Sequence, residues 1–261
     1  MNIMENNWQI VNPSVISDED FIVAKELPPT VNDIMKVIEK GTYKYGRLEL
    51  LSDALHCGAI AISNQFDPMR APERQTTYED IMGKYDQTGK AIMRELFSMF
   101  YSLLSKQIYS NVGFDDYLGR IYMLSDTNSK SAGQFFTPYS ISKLCSTITI
   151  EAKDVDGLIK TDEVLTLNEP TCGSGGMILA AADVLYNQYR FNISRNLLAV
   201  CADIDARCVH MAYLQLSLAG IPAIIYHQDT LRMKCWDTWI TPACIMQWPR
   251  FEKALKKSID G

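Results

Sequence analysis

The sequence lacks the residue groupings on which disulfide frameworks, zinc sites and membrane helices depend. Its seven cysteines are scattered without a Cys-x-x-Cys pair, and its three histidines, His56, His210 and His227, are isolated from one another. No apolar run approaches the roughly 18 residues that a membrane-spanning helix needs, and Met1–Gln9 has no basic segment followed by an apolar one. These absences predict a cytoplasmic protein with buried, reduced cysteines, no metal and no membrane association.

Positive charge is also scarce. The 25 lysines and arginines are outnumbered by 31 aspartates and glutamates, which leaves a net charge of −6. This balance argues against a surface dominated by attraction to phosphates, although a local basic patch or a partner subunit would still allow DNA binding. Hydrophobic residues make up 47% of the 261 residues, which is ordinary for a protein with one large core or two smaller ones.

Residues 1–130 are predicted to form a mostly helical domain. Apolar residues recur at helical intervals in Val31–Glu39 and in Leu48–Ile62. The widest apolar stripe lies in Lys90–Tyr109, and such a stripe is typical of a helix face buried in a core. Between these helices, Asp67–Thr77 contains two prolines and several charges and is interpreted as a loop.

From about residue 160 the pattern changes to alternating strands and helices. Helical runs separate three short apolar runs, which we predict to be strands. The strands are Val164–Asn168, Leu197–Ala202 and Ala223–Tyr226, and the helices are Met177–Tyr189 and Ala206–Leu218. Because this alternation is typical of a parallel sheet with crossover helices, residues 131–261 are predicted to form an α/β domain.

Three chemically distinctive features follow these strands in succession. The glycine-rich turn Gly173–Gly176 follows the first strand, Asp203 the second and Asp229 the third. Ligands of open parallel sheets bind beyond the carboxyl ends of the strands. Glycines there admit a ligand against the backbone, Asp203 could accept hydrogen bonds from ribose hydroxyls, and Asp229 could accept one from an adenine amino group. Each feature also has a simpler interpretation, as a tight strand–helix connection, a helix cap and a turn cap.

Five segments in a fixed order then point to a family. They are Asp116-Tyr-Leu-Gly-Arg-Ile-Tyr122, Gly133-Gln-Phe-Phe-Thr-Pro138, Glu169-Pro-Thr-Cys-Gly-Ser-Gly-Gly-Met177, Ala202-Asp-Ile-Asp205 and Gln228-Asp-Thr-Leu231. Together they resemble the adenine-N6 DNA methylases, in particular the modification (methylase) subunit of type I restriction–modification systems. In that family the segments are, in order, a helix leading into the catalytic domain, a segment folded over the cofactor, the first cofactor motif, a ribose-binding motif and an adenine-contacting motif.

The resemblance implies a Rossmann-like sheet of S-adenosylmethionine-dependent methyltransferases, incomplete at its C-terminal side, and S-adenosyl-L-methionine as the cofactor. It implies that Glu169 approaches the methionine ammonium, that Gly173 and Gly175 admit the cofactor against the backbone, and that Asp203 holds the ribose and Asp229 the adenine N6. Four residues of the covering segment would line the site: Phe135, Phe136, Thr137 and Pro138. The simpler interpretation of the two phenylalanines is core packing.

The sequence departs from the family on the substrate side. The family holds its flipped target adenine with an Asn-Pro-Pro-aromatic motif, which is absent here. Thr241-Pro242-Ala243 stands at about its position, and the chain after the third strand has room for one more strand and a short helix. The resemblance implies methyl transfer to adenine N6 in DNA, assisted by another subunit such as a specificity or methylase partner. The alternative is a catalytically decayed cofactor-binding or regulatory module that acts through a partner protein.

Overall fold

A computed structural model of the chain describes residues 28–107, 113–125 and 136–259. Within these residues, five helices precede the sheet and its two leading helices. They are α1 (Val31–Gly41), α2 (Arg47–Phe66), α3 (Ala71–Gly83), α4 (Gln87–Leu104) and α5 (Tyr117–Ser125). The mostly helical character predicted for the N-terminal part is confirmed for the described residues. The boundary that we predict between residues 130 and 131 lies outside them.

The chemistry of the helix termini explains where these helices begin. The Thr30 side chain accepts a hydrogen bond from the Asp33 N–H, and the Asp33 side chain accepts one from the Thr30 N–H, so that α1 starts with a capping box. α3 corrects the loop that we predict at Asp67–Thr77. It begins at Ala71 with Pro72 in its first turn, where the missing N–H of proline costs no helical hydrogen bond.

The second half of the chain forms a four-stranded sheet, preceded by α6 (Tyr139–Thr149) and α7 (Ala152–Thr161). Its elements are β1 (Leu165–Glu169), α8 (Gly176–Tyr189), α9 (Ile193–Asn196), β2 (Leu197–Asp203), α10 (Ala206–Leu218), β3 (Ala223–Asp229) and β4 (Lys234–Ile240). β1, β2 and β3 are parallel neighbours in that order. The predicted α/β class is confirmed, and the loops that follow these three strands lie at the same edge of the sheet.

β4 runs antiparallel to β3, with Ile240 opposite Ile224. The connection comprises only residues 230–233, whereas a parallel return needs a crossover of about a dozen residues or more. β4 therefore ends beside the amino ends of the parallel strands, where the Thr241 hydroxyl accepts a hydrogen bond from the first N–H of β3 at 2.8 Å. This corrects the position that we infer for Thr241 and Pro242, because both lie at the end of the sheet opposite to the loops after β1, β2 and β3.

The helices and the sheet share one continuous hydrophobic core. The apolar stripe predicted around Lys90–Tyr109 is buried along α4, from Ile92 to Leu104. After β4, the short helix α11 (Pro242–Met246) and α12 (Trp248–Ile259) cover the other face of the sheet, where Phe251 packs in a smaller cluster with Leu198. Within the three described ranges, no helix is both long and apolar enough to cross a membrane.

Candidate functional site

The glycine-rich turn after β1 adopts a backbone conformation that L side chains rarely take. Gly173 has φ of +54° and Gly175 has φ of +92°, both in the left-handed region. Gly175 directly precedes α8 as its N-terminal cap. The turn is tied to the next strand, because the Cys172 N–H donates to the Ala202 carbonyl at 2.8 Å. The turn therefore places the N-terminus of α8 at the carboxyl end of β1, where the helix dipole favours electron-rich ligand atoms.

Asp203 joins this turn to the loop after β2. Its Oδ2 accepts a hydrogen bond from the Gly173 N–H at 2.8 Å, and its Oδ1 accepts one from the Asp205 N–H at 2.9 Å. A carboxylate has about four acceptor positions, so each oxygen can accept one further hydrogen bond. Asp203 thus has the free acceptors that recognition of two vicinal hydroxyls requires.

Asp229 organises the loop after β3. Its Oδ1 accepts hydrogen bonds from the Leu231 and Arg232 N–H groups at 3.1 and 3.0 Å, and its Oδ2 accepts one from the Arg232 guanidinium at 3.0 Å. These bonds lower the pKa of Asp229, with the backbone bond from Arg232 as the largest cause. The next residue, Thr230, donates its hydroxyl proton to the Pro170 carbonyl at 2.8 Å, so the loops after β3 and β1 are also connected.

Phe136 lies against the glycine-rich turn. A Cβ added to Gly173 would lie 3.0 Å from Phe136 Cδ1, closer than an ordinary van der Waals contact. On its other side Phe136 meets Tyr122 of α5, with 5.6 Å between ring centroids. Thr137 and Pro138 follow, and Pro138 immediately precedes α6. Phe135 lies outside the described residues.

The structure brings some of the predicted residues together and separates others. Gly173 lies against Phe136 and donates a hydrogen bond to Asp203, and Asp229 is connected to this turn through the Thr230–Pro170 hydrogen bond. Glu169 accepts a hydrogen bond from the Thr171 N–H at 3.3 Å and lines a separate groove of about 120 Å³ between β1, α6 and α8.

Two features of the site were not identified from the sequence. Arg207 forms an ion pair with Asp205 at 2.5 Å, and its guanidinium lies 5.5 Å from the centroid of the Tyr122 ring. Behind the turn, the Ser174 hydroxyl donates to the buried carboxylate of Asp116 at 2.5 Å. Asp116 belongs to the first of the five family-like segments, which was the one available signal.

Cys172 lies inside the turn but is not a reactive thiol. A hydrogen bond with Cys201 and burial both raise the pKa of Cys172 well above its usual value. Because the thiolate is the nucleophilic form, a thiol with so high a pKa stays protonated and inert at neutral pH. The polar chemistry of this edge of the sheet therefore rests on carboxylates and backbone amides.

The chain matches one family model and several solved structures, which include the two that follow. The family model described as N-6 DNA Methylase matches residues 114–260. The methyltransferase subunit of a type I restriction-modification system from Streptococcus thermophilus is 16% identical with a TM-score of 0.39, and the match covers 85% of this chain and 45% of that one. A Listeria monocytogenes protein described as a class I S-adenosylmethionine-dependent methyltransferase is 15% identical with a TM-score of 0.36, covering 72% and 55%. The chain thus spans about half the length of each structure, and no curated protein matches it.

Proposed function

The chain belongs to the N-6 DNA methylase family, and on that basis we propose that it binds S-adenosylmethionine and takes part in methyl transfer to adenine N6 in DNA. The observation that carries the proposal is the hydrogen bond from the Gly173 N–H to Asp203 Oδ2 at 2.8 Å. It joins the glycine-rich turn to an acidic residue at the carboxyl end of the neighbouring strand, which is where a nucleoside ligand of a parallel sheet is held.

The residues at this edge fit the chemical groups of the cofactor. Asp203 retains acceptor positions for the ribose hydroxyls, and the bare Cα of Gly173 lets the Phe136 ring pack against the turn, where a methyl group would collide with it. Aromatic faces attract cations, so Phe136 suits the neighbourhood of a sulfonium. Asp229 already accepts three hydrogen bonds and keeps about one acceptor position for an adenine amino group. When bound, S-adenosylmethionine supplies an electrophilic methyl group.

The substrate side of the reaction requires a second polypeptide in this proposal. Thr241 and Pro242, at the position of the degenerate target-base motif, lie beside the amino end of β3 and away from the candidate cofactor residues. Within the described residues β1 is the parallel edge strand of the sheet, and its side chains Thr166 and Asn168 are exposed. An edge strand can pair with a strand of another chain, which would bring target-base residues next to the glycine-rich turn.

A second candidate function is a cofactor-binding or regulatory module without catalysis of its own. The position of Thr241 and Pro242 favours it, because neither residue carries a side-chain amide and both lie away from the loops after β1, β2 and β3. The two functions share the cofactor site and differ only in methyl transfer.

Isothermal calorimetry with S-adenosylmethionine tests the shared part. We expect the wild-type chain to bind and the Asp203→Ala variant to bind at least about tenfold more weakly, because a charged acceptor is lost. Asp162→Ala is the matched control, since Asp162 is an exposed aspartate that pairs with Arg195 and Arg250 away from the three loops. No wild-type binding at millimolar cofactor would refute the proposal.

Transfer assays with tritiated cofactor separate the two functions. Double-stranded DNA is incubated with the chain alone and with candidate methylase or specificity subunits, and the nucleosides are then separated. We expect label in N6-methyldeoxyadenosine only when a partner is present. Cofactor binding without transfer in any combination would leave the regulatory module, and label in cytosine would contradict the adenine assignment.

A further inference from the structure

A buried carboxylate lies directly behind the glycine-rich turn. Asp116 is 4% exposed and stands just before α5. Its Oδ2 accepts the Ser174 hydroxyl proton at 2.5 Å, and its Oδ1 accepts hydrogen bonds from Gln215 Nε2 at 2.8 Å and from the Gly119 N–H at 2.9 Å. Three donors from three separate parts of the chain thus converge on one side chain.

Gln215 completes the connection from α10. Its Nε2 also donates to the Ser174 carbonyl at 2.8 Å, and its Oε1 accepts a hydrogen bond from the Leu118 N–H at 3.1 Å. Ser174 is 2% exposed and Gln215 is fully buried. The hydroxyl and the carbonyl of Ser174 are therefore both hydrogen-bonded, as buried polar groups in folded proteins usually are.

Two glycines make room for the carboxylate. A Cβ added to Gly119 would lie 2.1 Å from Asp116 Oδ2, and one added to Gly176 would lie 3.1 Å from the same atom. The first distance is impossible for real atoms, and the second is tighter than most Cβ contacts. Close approach to the Asp116 carboxylate thus explains why residues 119 and 176 are glycines.

We propose that Asp116 is a positioning residue, which holds the glycine-rich turn through Ser174 in the conformation that receives the cofactor. A buried carboxylate is costly compared with an apolar group of the same size, and burial raises the pKa of Asp116 although its hydrogen bonds oppose this. Fully satisfied buried networks specify one conformation, and here the element that they specify is the turn with two left-handed residues. The identity of the ligand rests on the function proposed above.

The test uses the full chain and four variants. Ser174→Ala removes the contact between turn and carboxylate with the least disturbance, Asp116→Ala removes all three hydrogen bonds of the carboxylate, and the double variant closes a mutant cycle. Asp183→Ala is the matched control. Asp183 is also a buried aspartate, 3% exposed on α8, and it accepts hydrogen bonds from Tyr139 at 3.0 Å and Asn187 at 2.7 Å without contact to the turn.

Amide hydrogen exchange of residues 172–176 is the first measurement, with β2 amides as the internal reference. We expect about tenfold faster exchange of the turn in Ser174→Ala, little further change when Asp116→Ala is added, and no selective change in Asp183→Ala. Turn amides that exchange at the wild-type rate in Ser174→Ala, or that accelerate only in step with β2, would overturn the inference.

Calorimetric affinity for S-adenosylmethionine is the second measurement. Ser174→Ala should weaken binding about tenfold, and Asp183→Ala should leave the affinity of the folded protein unchanged. Wild-type-like affinity in Ser174→Ala would contradict the positioning role. If the wild-type chain itself fails to bind, the proposed function falls, while the exchange data still decide whether Asp116 positions the turn.

Discussion

Residue 173 must be glycine for two reasons, its left-handed backbone conformation and its close approach to the Phe136 ring. Its φ of +54° is strained for an L side chain, and a Cβ there would approach Phe136 Cδ1 to 3.0 Å. Its N–H also donates to Asp203. Gly173 therefore determines the backbone conformation of the turn, the packing of the Phe136 ring and the connection to β2. A change to alanine is consequently expected to affect both stability and binding.

We predict that Gly173→Ala lowers the free energy of unfolding by about 1–2 kcal/mol, the usual cost of a left-handed non-glycine residue, and weakens S-adenosylmethionine binding. Gly157→Ala is the control, because Gly157 lies within α7 and a Cβ there meets nothing within 4 Å. Alanine in a helix is favoured over glycine by roughly 0.5–1 kcal/mol, so this variant should be slightly more stable. Urea unfolding and calorimetry measure both effects, and equal stability of the two variants would contradict the prediction.

At the scale of elements, Arg74 connects α3 to β4. Its guanidinium donates to the Thr238 carbonyl at 2.9 Å, lies 3.8 Å from the ring centroid of Trp239 and approaches Asp67 and Asp237 at 3.5 and 3.7 Å. The side chain is almost fully buried. A helix that we interpret as a loop from the sequence thus supplies the cation that holds the antiparallel edge strand in place.

Arg74→Leu should lower the free energy of unfolding by about 3 kcal/mol, because breaking a buried ion pair leaves its carboxylate partners uncompensated. Arg70→Ala is the control on the same segment, since Arg70 is an exposed residue that pairs with exposed Glu73. Loss of such a surface pair changes stability by less than about 1 kcal/mol. Denaturant unfolding distinguishes the two, and similar losses for both variants would show that Arg74 does not anchor β4.

On the scale of the whole molecule, a histidine pair links the helical part to the sheet. His56 of α2 stacks on His210 of α10 with 3.8 Å between ring centroids, and both rings lie beside Trp239. Burial lowers the pKa of His56 to about 4 and the pKa of His210 well below its usual value. Asp53 and Asp237 oppose the shift of His56, whereas the nearby Arg74 adds to it.

The chain should therefore lose stability as the pH falls from 7.5 to 5.5. The unfolded histidines gain protons through their ordinary pKa of about 6.5, whereas the folded ones stay neutral, so acid favours the unfolded state. Integrated over this interval, two such histidines cost about 3 kcal/mol. Urea unfolding at both pH values measures the loss, and His210→Gln should reduce it by about half. Stability that is independent of pH in the wild type would contradict the neutral pair.

The sequence by itself determined which segments form the three parallel strands, the glycine-rich turn after the first strand and the acidic residues at the ends of the next two. These features are local: apolar runs of strand length alternate with helical periods, and a glycine in a left-handed turn is set by its immediate neighbours. The contact between Gly173 and Asp203 follows from them, because neighbouring parallel strands end side by side. The same local logic predicted the buried stripe of α4.

Only the tertiary structure decided the direction of β4, the helix α3 and the cluster around Asp116. Asp116 meets Ser174 and Gln215 across 58 and 99 positions of sequence, and Arg74 reaches Thr238 across 164. No local period encodes such contacts, since they arise when separately formed elements pack and a buried polar group must find its partners. The sequence thus predicts the candidate site residues one by one, whereas the contacts that hold them in position are visible only in the folded chain.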